Sequence, residues 1–408
     1  MSFEGLPSDR NASGRSFGDE ELGYLREVLS SGSLNSNSGQ MVRRFEERWA
    51  ERCERKFAIC CNSGSFAVQA AVAALELQPG DEVVTTSVTD FGALAALVYE
   101  GVVPRFCDVD PRTLMPTAET IERALNPRVR AVIATHLFGQ AARMEEIANL
   151  CCERDLSLIE DAAQAVESFD RGRRSGRLGR LSCYSFQQGK HLAAGEGGAV
   201  TTGDPELARR VRLYVNKAWP YGEPHPDHLF FAPNGRMTEL QAAVLHGQLD
   251  KLDDMIAARR RSAGALLEQL AGVPGLERPP HEDGDLHSYW RVDLWVNGET
   301  IEGGASGLAA ALREEGIPCA PHYVGKPAFE LKAFRERISF GGSGWPWRQR
   351  AEGAAVAEEH PLEDRKDFPG TIAGLERVLV LPWNERISVE MAERMGESIA
   401  AAARRRTR

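Results

Sequence analysis

The chain has 408 residues, 42% hydrophobic and 26% charged, which excludes wholesale disorder and is enough for two domains with ample core. A formal net charge of −10 argues against a nucleic-acid surface, and the basic end Arg404-Arg405-Arg406-Thr407-Arg408 reads as a solvated tail. The polar N-terminus does not read as a signal peptide, no apolar run approaches a membrane span, and the eight cysteines form no CxxC; a cytoplasmic protein with reduced, buried thiols and no metal site is expected.

Helical spacing appears first over Asp19–Ser31, with Leu22, Leu25 and Leu29 on one face, and again over Val42–Cys53. Between them Ser31–Gly39 is loop by composition. Phe57–Cys61 predicts a short buried strand, followed by the turn Asn62-Ser63-Gly64-Ser65 and an alanine-rich helix, Phe66–Leu77. A strand, a Gly/Ser turn and a helix N-terminus form an anion site, because free N–H groups and the helix dipole converge there. The same turn serves equally as a plain helix cap.

Strands over Val83–Val88, Val102–Val109, Ala131–Thr135 and Leu156–Ile159 then alternate with helices over Phe91–Glu100 and Met144–Arg154. Strands that are apolar throughout predict a mostly parallel sheet covered on both faces, with ligands bound beyond its carboxyl ends. Two chemistry-bearing residues stand at such ends. His136 follows one strand and reads as a satisfied structural histidine more than as a catalyst. Asp161, in Glu160-Asp161-Ala162-Ala163-Gln164, reads as a helix cap or as a functional carboxylate.

Ser182–Thr202 carries Lys190 in a loop rich in hydroxyls and amides, with Ser185 five residues before it and Gly195-Glu196-Gly197-Gly198 after it. Most lysines are solvated surface ammoniums. A partly desolvated lysine beside glycines that admit a ligand to the backbone is instead a candidate Schiff-base nucleophile. Asn216–His228 is a proline-rich loop leading to Ala232–Glu239, and one long helix is expected from Glu239 to about Leu270. A smaller domain of strands (Ser288–Val296, Arg377–Leu381) and helices (Gly307–Glu315, Val389–Arg404) follows, with Pro321-His322-Tyr323 between its elements.

Ser185-Phe186-Gln187-Gln188-Gly189-Lys190 with Gly195–Gly198 resembles the lysine motif of the DegT/StrS family of pyridoxal-phosphate-dependent sugar aminotransferases, and Glu160–Ala165 is unchanged from that family's EDAAQA. Gly64, Ser65 and Phe66 resemble its SGTAAL phosphate turn, and Ala232–Glu239 its GYNYRM(T/S)(D/E) segment, with Gly235 in place of an aromatic. The resemblance implies an α/β, fold-type I, aspartate aminotransferase-like protein. Its large domain, 1–259, would hold a mostly parallel sheet, and a smaller C-terminal α+β domain would span 260–408. It implies pyridoxal 5′-phosphate held by Gly64, Ser65, Phe66, Gln164 and Ser185. Asp161 would face the pyridine nitrogen, and Lys190 would be the catalytic lysine.

The same resemblance implies a homodimer in which Asn234 reaches the partner's cofactor phosphate, with His136, His322 and Tyr323 near the substrate. The aromatic that stacks on the cofactor ring would fall at Asp90, so Phe91 takes that role only after a one-residue shift. The implied reaction moves nitrogen from glutamate or glutamine to a keto-sugar or keto-cyclitol. A deoxysugar dehydratase is the alternative enzyme, but such relatives carry His in place of the lysine, and here His191 only stands beside Lys190. A non-catalytic sensor on the same fold is the third reading.

Overall fold

A computed structural model describes residues 3, 5–339, 344–347 and 362–408. Its first layer is a seven-stranded sheet of β1 (Phe57–Cys61), β2 (Glu82–Thr86), β3 (Val103–Cys107), β4 (Val129–Thr135) and β5 (Ser157–Asp161), completed by two later strands. A small hairpin, β6 (Phe169–Asp170) with β7 (Arg173–Arg174), precedes those two, β8 (Leu181–Ser185) and β9 (Gly198–Thr202). The sheet order is β1-β9-β8-β5-β4-β2-β3. Only β9 runs against the rest, so the sheet is mostly parallel, as its apolar strands imply.

Register decides where the chemistry gathers. Thr135 pairs with Asp161 and Asp161 with Cys183, which puts the carboxyl ends of β4, β5 and β8 in one row. On the other side Gly198 pairs with both Ser185 and Cys61. The reversed strand β9 thereby draws the turn after β1 alongside Ser185. Helices cover both faces. Gly64–Ala74 and Pro205–Val215 pack on one through Ala67, Ala70, Ala71 and Val211, while Met144–Glu153 lies over the core of Val132, Ala134 and Leu158.

A second, antiparallel sheet is built from β10 (Leu276–Glu277), β11 (Arg291–Val296), β12 (Ala320–Pro321) and β13 (Val378–Pro382), in the order β10-β11-β13-β12. Leu266, Leu308 and Ile399 from three helices close its core, and Phe3 from the start of the chain packs there too. The single helix expected over Glu239–Leu270 is two, Glu239–Asp250 and Leu252–Gln269. They meet at Lys251, whose amine is drawn to Glu21 (2.9 Å) and to the Ser16 carbonyl, tying the joint to the first helix. Seven of the eight cysteines are buried, Cys152 being the exposed one. Burial pushes the Cys53 and Cys107 thiols up to about 12. Among the described residues no helix is long and apolar enough to cross a membrane.

Candidate active site

The turn after β1 is shaped by close approaches. Ser63 caps the helix Gly64–Ala74, its Oγ accepting from the Phe66 amide at 3.1 Å. The amides of Gly64 and Ser65, in the first turn, have no acceptor within their own helix. A Cβ on Gly64 would lie 2.6 Å from the Ser185 Cβ, and one on Gly198 would lie 2.3 Å from the Ser63 carbonyl oxygen. Glycine at both positions therefore brings the helix N-terminus, the Ser185 side chain and the start of β9 into one corner. Free amides, a helix dipole and a hydroxyl make that corner a site for an anion.

This corner opens into a cavity of about 410 Å³ that also receives Asp161, Gln164, Lys190, Trp290 and Tyr323. Asp161 is 6% exposed, and its carboxylate accepts from the Ala163 amide at 3.1 Å; burial raises its pKa above the usual carboxylate value. Burial acts oppositely on Lys190, lowering its pKa from 10.5 to about 8 against the opposing pull of Asp161 and Asp90. Its amine sits 4.2 Å from the centre of the Trp290 ring. Gln164 is held by the Phe138 amide (3.2 Å) and by its own donor bond to the Tyr323 hydroxyl (3.0 Å). The cavity thus offers an anion cradle, an amine that titrates close to neutrality and a buried carboxylate. That set is suited to covalent amine chemistry on a small anionic ligand.

Other residues singled out from the sequence stand elsewhere. Phe91 does not line the cavity. It is about half exposed, with its ring edge-on to Phe334, because Asp90 caps the helix Phe91–Tyr99 (Oδ1 from the Gly92 amide, 2.7 Å) and itself takes the cavity-facing place. The Phe66 ring leans away, against Tyr214 and into the space over Gly235, where a Cβ would come 2.0 Å from its Cε1. The two departures from the family pattern therefore compensate: a larger residue at 66 fills what glycine vacates at 235.

His136 is fully buried below the cavity, Nε2 bonded to Glu160 (3.1 Å) and Nδ1 accepting from the Ala142 amide. His322 bonds to the Leu375 carbonyl (2.8 Å) and Ser306 (2.6 Å), leaving Tyr323 alone of that pair in the cavity. Asn234 lies on an exposed loop, its side chain taken by the Arg236 amide (3.4 Å), and it does not line the cavity of its own subunit. His191 is buried against the Ser288 carbonyl (3.2 Å), and burial holds its pKa well below the usual value.

The structure adds two residues that sequence reasoning missed. Trp290 was one apolar residue in a strand-like run, and Arg15 one cation in a polar N-terminal segment. Trp290, just before the second sheet, and Arg15, near the start of the chain, reach the lysine loop only through long-range packing.

Comparison with known proteins agrees with this geometry. The model of the DegT/DnrJ/EryC1/StrS aminotransferase family matches residues 15–343. The chain is similar to the GDP-perosamine synthase of Vibrio cholerae, with 30% identity over 338 residues, 80% of this chain and 91% of that protein. It is 35% identical over 318 residues, 78% of this chain and 82% of the other, to the UDP-N-acetyl-3-dehydro-alpha-D-glucosamine 3-aminotransferase of Acidithiobacillus ferrooxidans. Among solved structures, an aminotransferase from Psychrobacter cryohalolentis superposes with a TM-score of 0.83 at 27% identity, covering 96% of this chain and 98% of that one.

Proposed function

Because the chain belongs to the DegT/DnrJ/EryC1/StrS aminotransferase family, whose enzymes depend on pyridoxal phosphate, we propose that it transfers an amino group from glutamate or glutamine to a nucleotide-linked keto-sugar. The observation that carries this reading is the convergence of Lys190, Asp161 and the Gly64-Ser65 turn on one cavity. Relatives that act on GDP- and UDP-linked sugars favour a nucleotide-linked acceptor over a free keto-cyclitol.

The residues present fit the cofactor. The Gly64 and Ser65 amides and the Ser185 hydroxyl would hold its phosphate, Asp161 its ring nitrogen and Gln164 its ring oxygen, while Lys190 would form the covalent link. Bound there, the cofactor supplies an electron sink that carries nitrogen from donor to acceptor. Asp161 would keep a proton on the ring nitrogen. Lys190, when not covalently engaged, would serve as the base that moves a proton at the donor α-carbon, a task suited to an amine whose pKa lies close to working pH. Tyr323 and Gln164, bonded to each other, close one wall of the cavity.

We take residues 1–259 as the large domain and 260–408 as the small one, a division supported by the two separate sheets. The enzyme works in the cytoplasm as a homodimer. Supporting that assembly are the exposed apolar residues Tyr221, Leu229, Phe230 and Phe231, on the loop that ends at Asn234. In the dimer Asn234 of the partner subunit completes the phosphate corner. The dehydratase reading is disfavoured by Lys190 itself and by His191, which turns to the Ser288 carbonyl. A visible absorbance band from bound cofactor, bleached by glutamate or glutamine and missing in Lys190→Ala, is the expected result. Loaded protein that neither donor bleaches would overturn the aminotransferase reading.

A further inference from the structure

Three successive carbonyls of the lysine loop are each taken by a donor from a distant part of the chain. Arg15 Nη2 donates to the carbonyls of Gln188 and Lys190, the latter at 2.8 Å, and Trp290 Nε1 donates to that of Gly189 at 2.6 Å. The Gln188 side chain donates back to the Asp9 carbonyl (2.9 Å). Trp290 is itself fixed. It immediately precedes β11, whose first residue, Arg291, pairs with Pro382. The Arg291 guanidinium lies 4.4 Å from the centre of the same indole and is anchored by Asp9 at 2.9 Å. Against this rigid ring lies the Lys190 amine, at 4.2 Å.

We propose that Trp290 is a positioning residue for Lys190: its ring face seats the lysine ammonium whenever the amine is not covalently engaged, and its N–H fixes the loop that carries it. The proposal rests on Lys190 being the reactive amine. A lysine stem has four rotatable carbons, so an amine released inside a cavity of this size has many orientations to lose. Indole is the strongest aromatic partner for a cation, and the attraction grows where water is excluded. The ring therefore returns the freed amine to one place. The charged groups facing that amine are Asp161 at the end of β5, Asp90 at the head of the helix Phe91–Tyr99, and Arg291 on β11; the first two favour its protonated form and the third opposes it.

The test follows acetylation of Lys190 by acetic anhydride across pH in the full-length protein freed of cofactor, read on the Lys190 peptide by mass spectrometry. Wild type should titrate near 8. Removing the ring face in Trp290→Leu withdraws support from the ammonium and should move the midpoint toward acid by about half a pH unit or more. Trp290→Phe keeps a ring and should stay close to wild type, while lacking the bond to Gly189. Melting curves check that each variant folds, and Trp290→Met replaces the leucine variant if that one does not. Wild-type midpoints in both the aliphatic and the phenylalanine variants would overturn the proposal, as would equal shifts in both. Borohydride fixation of cofactor on wild-type Lys190 tests the underlying reading separately, because its failure leaves the acetylation midpoints unaffected.

Discussion

The Phe66 ring occupies the space over Gly235, and substituting the two singly and together tests whether the turn after β1 is built as described. A Cβ on Gly235 would fall 2.0 Å from Phe66 Cε1 and 2.2 Å from Cζ. The backbone there has little freedom to retreat, because the Gly235 amide donates to the Val215 carbonyl (3.0 Å) and its own carbonyl accepts from Asn62 (2.8 Å). The ring must move instead, and Tyr214 stands 5.8 Å from it, centre to centre. Gly235→Ala is therefore an overpacking change, costing about 1–3 kcal/mol. Phe66→Ala costs less than the ~3–5 kcal/mol of a fully buried phenylalanine, since this ring is only partly buried. In the double variant the new methyl enters space the ring has left. The double loss should fall short of the sum of the single losses by about 1–3 kcal/mol. Urea unfolding of the four proteins, followed by tryptophan fluorescence, measures that coupling. Additivity to within about 0.5 kcal/mol would refute the steric account.

The remaining predictions concern the cavity. The Lys190 pKa is about 8 in the folded protein against 10.5 for the free side chain, so between those pH values the unfolded chain binds the extra proton and stability rises with pH. Lys190→Met should therefore melt above wild type at pH 7 in cofactor-free protein, and the advantage should shrink as pH climbs past 8; a gap that widens instead contradicts the buried-ammonium picture. Asp161→Asn should still bind cofactor at the anion corner yet slow donor turnover by about 10²-fold or more in stopped-flow measurements, and an undiminished rate removes Asp161 from the mechanism. Mixing Lys190→Ala with Asn234→Ala subunits should restore activity that neither possesses, to about a quarter of wild type under random pairing. No recovery in verified mixed dimers excludes a shared site.

What the sequence disclosed divides along a physical line. Type and place marked out three residues as candidates, Asp161 after an apolar strand, Gly64 in a strand-to-helix turn and Lys190 before a glycine cluster, and the structure sets all three on one cavity. The register of β4, β5, β8 and β9 brings those segments together. Residues that act on other residues were not readable. His136 reads from its place as a satisfied structural histidine, but its partners, Glu160 and the Ala142 amide, come only with the fold. Phe91 has the right aromatic character, yet Asp90 capping its helix takes the cavity-facing position. The break at Lys251 was equally silent, since apolar spacing runs on through it and the contacts its amine makes there, to Glu21 and the Ser16 carbonyl, are long-range.

The charge pattern explains why the anion corner is made of neutral donors. Among the described residues that line the cavity, Lys190 is the cation, and the carboxylates are Asp90, Asp161 and Glu196. Burial drives the lysine pKa down, and Asp161 and Asp90 hold it back, leaving it at about 8. An arginine at this corner would add like charge beside an amine already short of solvent, depressing its pKa further. Amide N–H groups, a helix dipole and the Ser185 hydroxyl bind an anion without that added charge. On this account the glycines at 64 and 198 would serve the lysine as well as any anion bound there. They let backbone approach closely enough to do what a charged side chain would otherwise do, and so leave the amine close to neutral working pH.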